Sequence, residues 1–287
     1  MLQKIIYALI PAVTFLFLFA SCNRDDMPGT EPGQTLLPQK IHFEMVYAVP
    51  DNGATDTRVA ISTDGNYANT WQEGDEVGVI IIDDNQGYDI FENPVRNMKM
   101  TYRDGSWEYT LPDNCTYYPK DRTLSFIAYL PYVDDQYGPF ESFYVNLGSL
   151  ADGNKWADIF LYAKTENVCN TSEPVTLNFS PVKACIELSV KGGNDRIVTK
   201  LKGCSINFDF YLETGVLRTD NDKRQMELPR IGNIYRAFLC PQTIASGTEL
   251  FTFEDKKNNR TWTYRTTEDV TLKAGEVKPF EITLVPK

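Results

Sequence analysis

Apolar residues recur at every second position in several stretches of this chain, in short runs closed by Asp, Asn, Gly and Pro. In residues 41–49 the odd positions Ile41, Phe43, Met45, Tyr47 and Val49 are apolar, and His42 and Glu44 stand between them. A period of two puts those five side chains on one face of a β-strand. Residues 76–82 (Glu-Val-Gly-Val-Ile-Ile-Ile) read as a buried strand closed by Asp83-Asp84-Asn85. Residues 98–102 and 107–111 flank Asp104-Gly105, a pair suited to a tight hairpin turn. Residues 124–130 predict another strand, stopped by Pro131, and 159–163 form a further apolar run. Strand patterns continue at 175–179, 184–190, 205–211, 235–239, 249–254, 262–266 and 277–285. In the final segment Phe280, Ile282 and Leu284 share one face. Pro279 cannot donate to a ladder, so this strand starts there or lies at a sheet edge.

No long stretch carries a helical period. Many short strands separated by turns predict an all-β fold built of sandwiches. Glu173-Pro174 is the candidate break between two units, 36–172 and 173–287. Hydrophobic residues make up 42% of the chain, enough for real cores, and aromatics 13%, with 16 Tyr and 16 Phe, which suits strands. The net charge is −11 with no basic run, which argues against nucleic acid and against attraction to anionic lipid.

The first residues follow a different pattern. Lys4 precedes an apolar run over 5–20, interrupted by Pro11. A spanning helix needs roughly 20 apolar residues, so residues 1–21 predict a secretion signal rather than an anchor. Phe19-Ala20-Ser21-Cys22 resembles a bacterial lipobox, with Phe19 where Leu is usual. Cleavage between Ser21 and Cys22 would leave a lipidated Cys22 as the first residue. Two or three acyl chains hold a protein stably on a membrane where one does not. Residues 22–35 then form a polar, Pro- and Gly-rich tether. Its start, Asn23-Arg24-Asp25-Asp26, is similar to the acidic export tag of lipoproteins carried to the outer face of some Gram-negative anaerobes.

Candidate chemistry is sparse. His42, the single histidine, alternates away from the apolar face of its strand, which leaves no support for a Ser/His/Asp or Cys/His triad. Asp83-Asp84 and Asp134-Asp135 are acidic pairs in loops, and neither fits a calcium-loop spacing. Trp71, Trp107, Trp156 and Trp262 are isolated and are expected in or beside the core. Beyond Cys22 the cysteines are Cys115, Cys169, Cys185, Cys204 and Cys240. Their odd number leaves at least one free, and their pairing is open, with a bridge in the second half possible. The expectation is therefore no catalytic site, no metal and no cofactor.

Several segments, in order, resemble the fimbrillin-like family of type V pilus subunits. They are Thr57-Arg58 after the opening strand, Trp71-Gln72-Glu73-Gly74-Asp75-Glu76-Val77-Gly78-Val79, Phe126-Ile127-Ala128-Tyr129-Leu130-Pro131-Tyr132, Asp158-Ile159-Phe160-Leu161-Tyr162-Ala163, residues 175–190, and Leu272-Lys273-Ala274-Gly275-Glu276. Pro181 stands near the place where that family often has His, and Pro279-Phe280 where it has Tyr. The resemblance implies two transthyretin-like β-sandwich domains in tandem and a fimbrial, outer-membrane surface location. It also implies adhesion and assembly with other pilin subunits. An arginine-specific protease would cut between Arg58 and Val59, freeing the strand of Ile41, Phe43, Met45, Tyr47 and Val49 for replacement by a strand of another subunit. The alternative is a non-polymerising lipoprotein that binds a glycan or another host or bacterial surface ligand; coplanar exposed tryptophans would favour it.

Overall fold

The computed structural model describes residues 37–47, 60–61, 67–68, 71–85, 95–134, 144–146, 160–192, 196–219, 223–231 and 234–285. Among them the fold is all-β, with one 3-10 turn, Asp113–Cys115. A seven-stranded sheet runs, edge to edge, Phe43–Tyr47, Val175–Pro181, Leu161–Val168, Leu124–Leu130, Glu76–Asp83, Val95–Arg103 and Ser106–Glu108. All its pairings are antiparallel except the first, where the opening strand lies parallel to Val175–Pro181. The Asp104-Gly105 turn closes its hairpin with both residues at positive φ, 48° and 80°, the conformation a two-residue turn demands.

The continuous apolar run of Glu76–Asp83 follows from burial on both faces. Val77, Val79 and Ile81 face one core with Phe126, Leu161, Leu177 and Phe179. Ile80 and Ile82 face another with Ile127, Tyr129 and Phe160. A strand covered on both sides has no use for alternation. Gly78 is the exception in size. It sits opposite Tyr129, whose ring lies across it.

In the second half two four-stranded sheets enclose one core. The first is Arg230–Ile231, Ile234–Leu239, Ala184–Lys191 and Val277–Thr283; the second is Met226–Glu227, Ile197–Leu201, Glu249–Asp255 and Arg260–Arg265. Ile186, Leu188, Ala237 and Phe280 meet Leu201, Phe251 and Phe253 between them. The final strand is an edge strand, so Pro279 removes no ladder bond from the sheet interior. Phe280 and Leu284 are buried as the alternation predicts. The Leu272-Lys273-Ala274-Gly275-Glu276 segment turns through Gly275 at φ 75° and hydrogen-bonds to the start of strand Ala184–Lys191, with Gly275 N–H on Lys183 C=O and Cys185 N–H on Glu276 C=O.

The break expected between 172 and 173 falls inside the first sheet. Val175–Pro181 is bonded on both sides within it, to Phe43–Tyr47 and to Leu161–Val168. Glu173-Pro174 therefore marks a hairpin turn, and the chain passes to the other sheet at Val182-Lys183. The hairpin of Phe208–Tyr211 and Val216–Thr219 packs back onto the first sheet. Phe210 meets Phe160 and Tyr162 edge-on at 5.5 and 4.9 Å, and the Tyr162 hydroxyl donates to Leu212 C=O at 2.5 Å.

Candidate functional site

The opening strand occupies a slot at the edge of the seven-stranded sheet. Ile41 is fully buried, Met45 nearly so, and His42 and Glu44 are exposed, as period two requires. Phe43 packs edge-on against Phe126 at 5.7 Å and Tyr109 at 5.3 Å. Tyr47 closes the strand, its backbone level with Phe179. Upstream, Ile41 N–H donates to Thr116 C=O and Tyr118 N–H to Gln39 C=O. Asn170 brackets the entry of the chain, since its Oδ1 accepts from Gln39 N–H at 2.7 Å and its Nδ2 donates to Leu37 C=O at 3.1 Å. Thr176 Oγ1 donates to the Glu44 carboxylate across the ladder.

One wall of the slot is built by the Trp71-x-x-Gly74-Asp75 segment. Gly74 takes φ 88°, which a residue with a Cβ rarely adopts. The Asp75 carboxylate accepts from Gln72 N–H at 2.8 Å, and Tyr102 N–H donates to Asp75 C=O, tying the turn to the neighbouring strand. Burial pushes the Asp75 carboxyl pKa up, against the smaller lowering by the Gln72 N–H. The turn seats the Trp71 ring against Trp107 at 4.9 Å and Phe179 at 5.3 Å, and Trp71 Nε1–H donates to Met45 C=O at 3.2 Å. Tyr109 packs against the same core. Burial raises its hydroxyl pKa, and a hydrogen bond with the Phe43 backbone opposes that.

Tyr118 lines the same region with its hydroxyl buried and without a hydrogen-bond partner, so its pKa is pushed up to about 12. A buried unsatisfied hydroxyl costs about 1–3 kcal/mol. Tyr118→Phe is expected to stabilise the protein by about 1 kcal/mol, read as a higher urea midpoint at unchanged slope; a lower midpoint would show that the hydroxyl is satisfied in solution.

The structure brings Ile41, Phe43, Met45 and the backbone of Tyr47 together in one slot. Val49, Arg58, Val59, Ser21 and Cys22 lie outside the described residues. Tyr109, Tyr118 and Asn170 carry no signal of the slot in the sequence, and Trp71 is marked there only by its motif and as a tryptophan expected in or beside the core. The Asp83-Asp84 pair serves structure. Asp83 is buried and ion-paired with Arg122, while Asp84 accepts from the hydroxyls of Thr123 and Ser125, both at 2.6 Å. Among the described residues no group of three or more His, Cys, Asp or Glu is placed to hold a metal ion. Trp71 and Trp107 cross at 84°, not as a flat platform. The cysteine bridge considered for the second half does not form. Cys185, Cys204 and Cys240 are buried and not in disulfides, as is Cys115, and burial raises the thiol pKa of Cys204 to about 12.

Residues 57–287 match the fimbrillin-like family model. The chain belongs to the fimbrillin-like family, which supports a structural, pilus-type subunit or adhesin of the cell surface that assembles with other pilin subunits. A candidate cell adhesion protein from Bacteroides uniformis shares the fold with a TM-score of 0.57 at 17% identity, over 82% of this chain and 94% of that one. Another from Bacteroides ovatus gives 0.57 at 20% identity, over 87% and 93%. A third, from Bacteroides thetaiotaomicron, gives 0.52 at 14%, over 85% and 91%. No curated protein matches the chain. Among the described residues no helix is long and apolar enough to cross a membrane.

Proposed function

We propose that this chain is a lipid-anchored subunit of a cell-surface pilus, assembled by exchange of its opening strand and serving adhesion. The observation that carries the reading is the seating of Phe43–Tyr47 at a sheet edge, paired on one side only by a parallel strand. Signal cleavage after Ser21 leaves Cys22 acylated at the outer membrane, and 22–35 is the leash. The body is two β-sandwiches in tandem, with the crossing at Val182-Lys183. Cutting between Arg58 and Val59 separates the opening strand and its lipid from the body. A strand of another subunit then takes the place of Ile41, Phe43, Met45, Tyr47 and Val49, restoring burial and ladder together. Until then the seated strand protects an edge that would otherwise aggregate.

The test is to treat the folded full chain with an arginine-specific protease, sequence the new N-terminus and follow mass by light scattering. The expected result is an N-terminus at Val59 and growth into polymers. Cleavage only elsewhere, such as after Arg24, removes the maturation site. Cleavage at Arg58 without any polymer removes strand exchange.

A further inference from the structure

The opening strand has two edges, and they are held by different chemistry. Val175 N–H donates to His42 C=O, so the even-numbered backbone groups face the ladder and those of Phe43 and Met45 face outward. On that outward side Trp71 Nε1–H donates to Met45 C=O at 3.2 Å. On the same side the Tyr109 ring stands edge-on to Phe43 at 5.3 Å, and the Phe43 backbone lowers the Tyr109 hydroxyl pKa against burial. Neither ring is free to drift: Trp71 is wedged between Trp107 and Phe179, and Tyr109 lies edge-on to Phe43 at 5.3 Å. Just upstream the same edge is held by backbone groups of Thr116 and Tyr118.

We propose that Trp71 and Tyr109 form a backbone latch that closes the outer edge of the slot and holds its occupant without reading the occupant's side chains. Two aromatic side chains here do the work of a neighbouring strand. The latch takes an outward-facing C=O at the Met45 position and a backbone group at the Phe43 position, which any strand in the right alternation supplies. It also uses up polar groups that would otherwise recruit a further strand. For the resident strand this stands on the Trp71 hydrogen bond and the Tyr109–Phe43 ring contact. Its extension to a strand from a second copy rests on the exchange reading above.

The experiment is native-state amide hydrogen exchange on the full, uncut chain and on Trp71→Phe, Tyr109→Phe and the double variant. Each substitution keeps a ring and removes one polar handle. Local opening of the strand is then easier by one ordinary hydrogen bond, about fivefold in exchange rate. The expected result is acceleration of the ladder-facing amides of Glu44 and Val46 by about fivefold in each single variant and about 25-fold in the double. Amides of Leu124–Leu130 and Glu76–Asp83 keep their rates. Unchanged rates at Glu44 and Val46 would overturn the latch. Equal acceleration throughout the seven-stranded sheet would also overturn it, because the rings would then be ordinary packing. Since no cutting or polymer growth is involved, a failed latch and a failed exchange mechanism give separate results.

Discussion

A chain that starts at Val59 is expected not to persist as a folded monomer, and a synthetic peptide of residues 37–49 is expected to restore it. Ile41, Phe43 and Met45 each place an apolar side chain in or against the first core. Their burial is worth roughly 1.5–3 kcal/mol apiece, or about 5–9 in sum. A domain's whole stability is about 5–15 kcal/mol. Five residue pairs with Val175–Pro181 go with them, and the removal uncovers Val175, Leu177 and Phe179. Size-exclusion chromatography and thermal melting of the shortened chain, with and without peptide, provide the measurement. A peptide carrying Asp at positions 41, 43 and 45 is the control and should not rescue, because it would bury unpaired carboxylates. A cooperatively melting monomer in the absence of peptide would show that the strand is dispensable.

Gly78→Ala is expected to cost about 3–4 kcal/mol, well above the usual cost of overpacking by one methyl. A Cβ at Gly78 would lie 2.3 Å from Cε1 and Cζ of Tyr129 and 2.6 Å from its hydroxyl. The ring has nowhere to go. It is fully buried, stacked near Phe160 at 6.2 Å, and its hydroxyl donates to Asn97 Oδ1 at 2.8 Å. Asn97 is itself held, its Nδ2 donating to Val133 C=O. Displacing the ring gives up that hydrogen bond as well as the packing. Urea denaturation of Gly78→Ala, Tyr129→Leu and the pair measures the coupling. The double variant should be less destabilised than the sum of the singles, because the clash is gone; strict additivity would mean that the ring yields freely.

What could be read from the sequence depended on how local each signal was. The strand Leu124–Leu130 matches its predicted bounds, because Pro131 punctuates it. The Asp104-Gly105 turn was legible because two adjacent left-handed residues demand that chemistry. The strand beginning at Val175 was legible as a strand but not as a member of the first sheet. Its pattern says that one face is buried, and says nothing about which sheet buries it. Strands such as Met226–Glu227 and Arg230–Ile231 are too short to carry a period. Trp71 and Asn170 escaped as slot residues because their partners are backbone groups, and a backbone group is the same at every position.

The parallel pairing of the opening strand has a mechanical consequence. Phe43 lies level with Val175 and Tyr47 with Phe179, so both strands run the same way. The leader enters at one end of this pair, and the passage to the second half leaves from the other, roughly 20 Å along. Tension between leader and trailing half therefore pulls along the strand axis in shear. All five pairs resist together, where an antiparallel arrangement loaded from one end would unzip pair by pair.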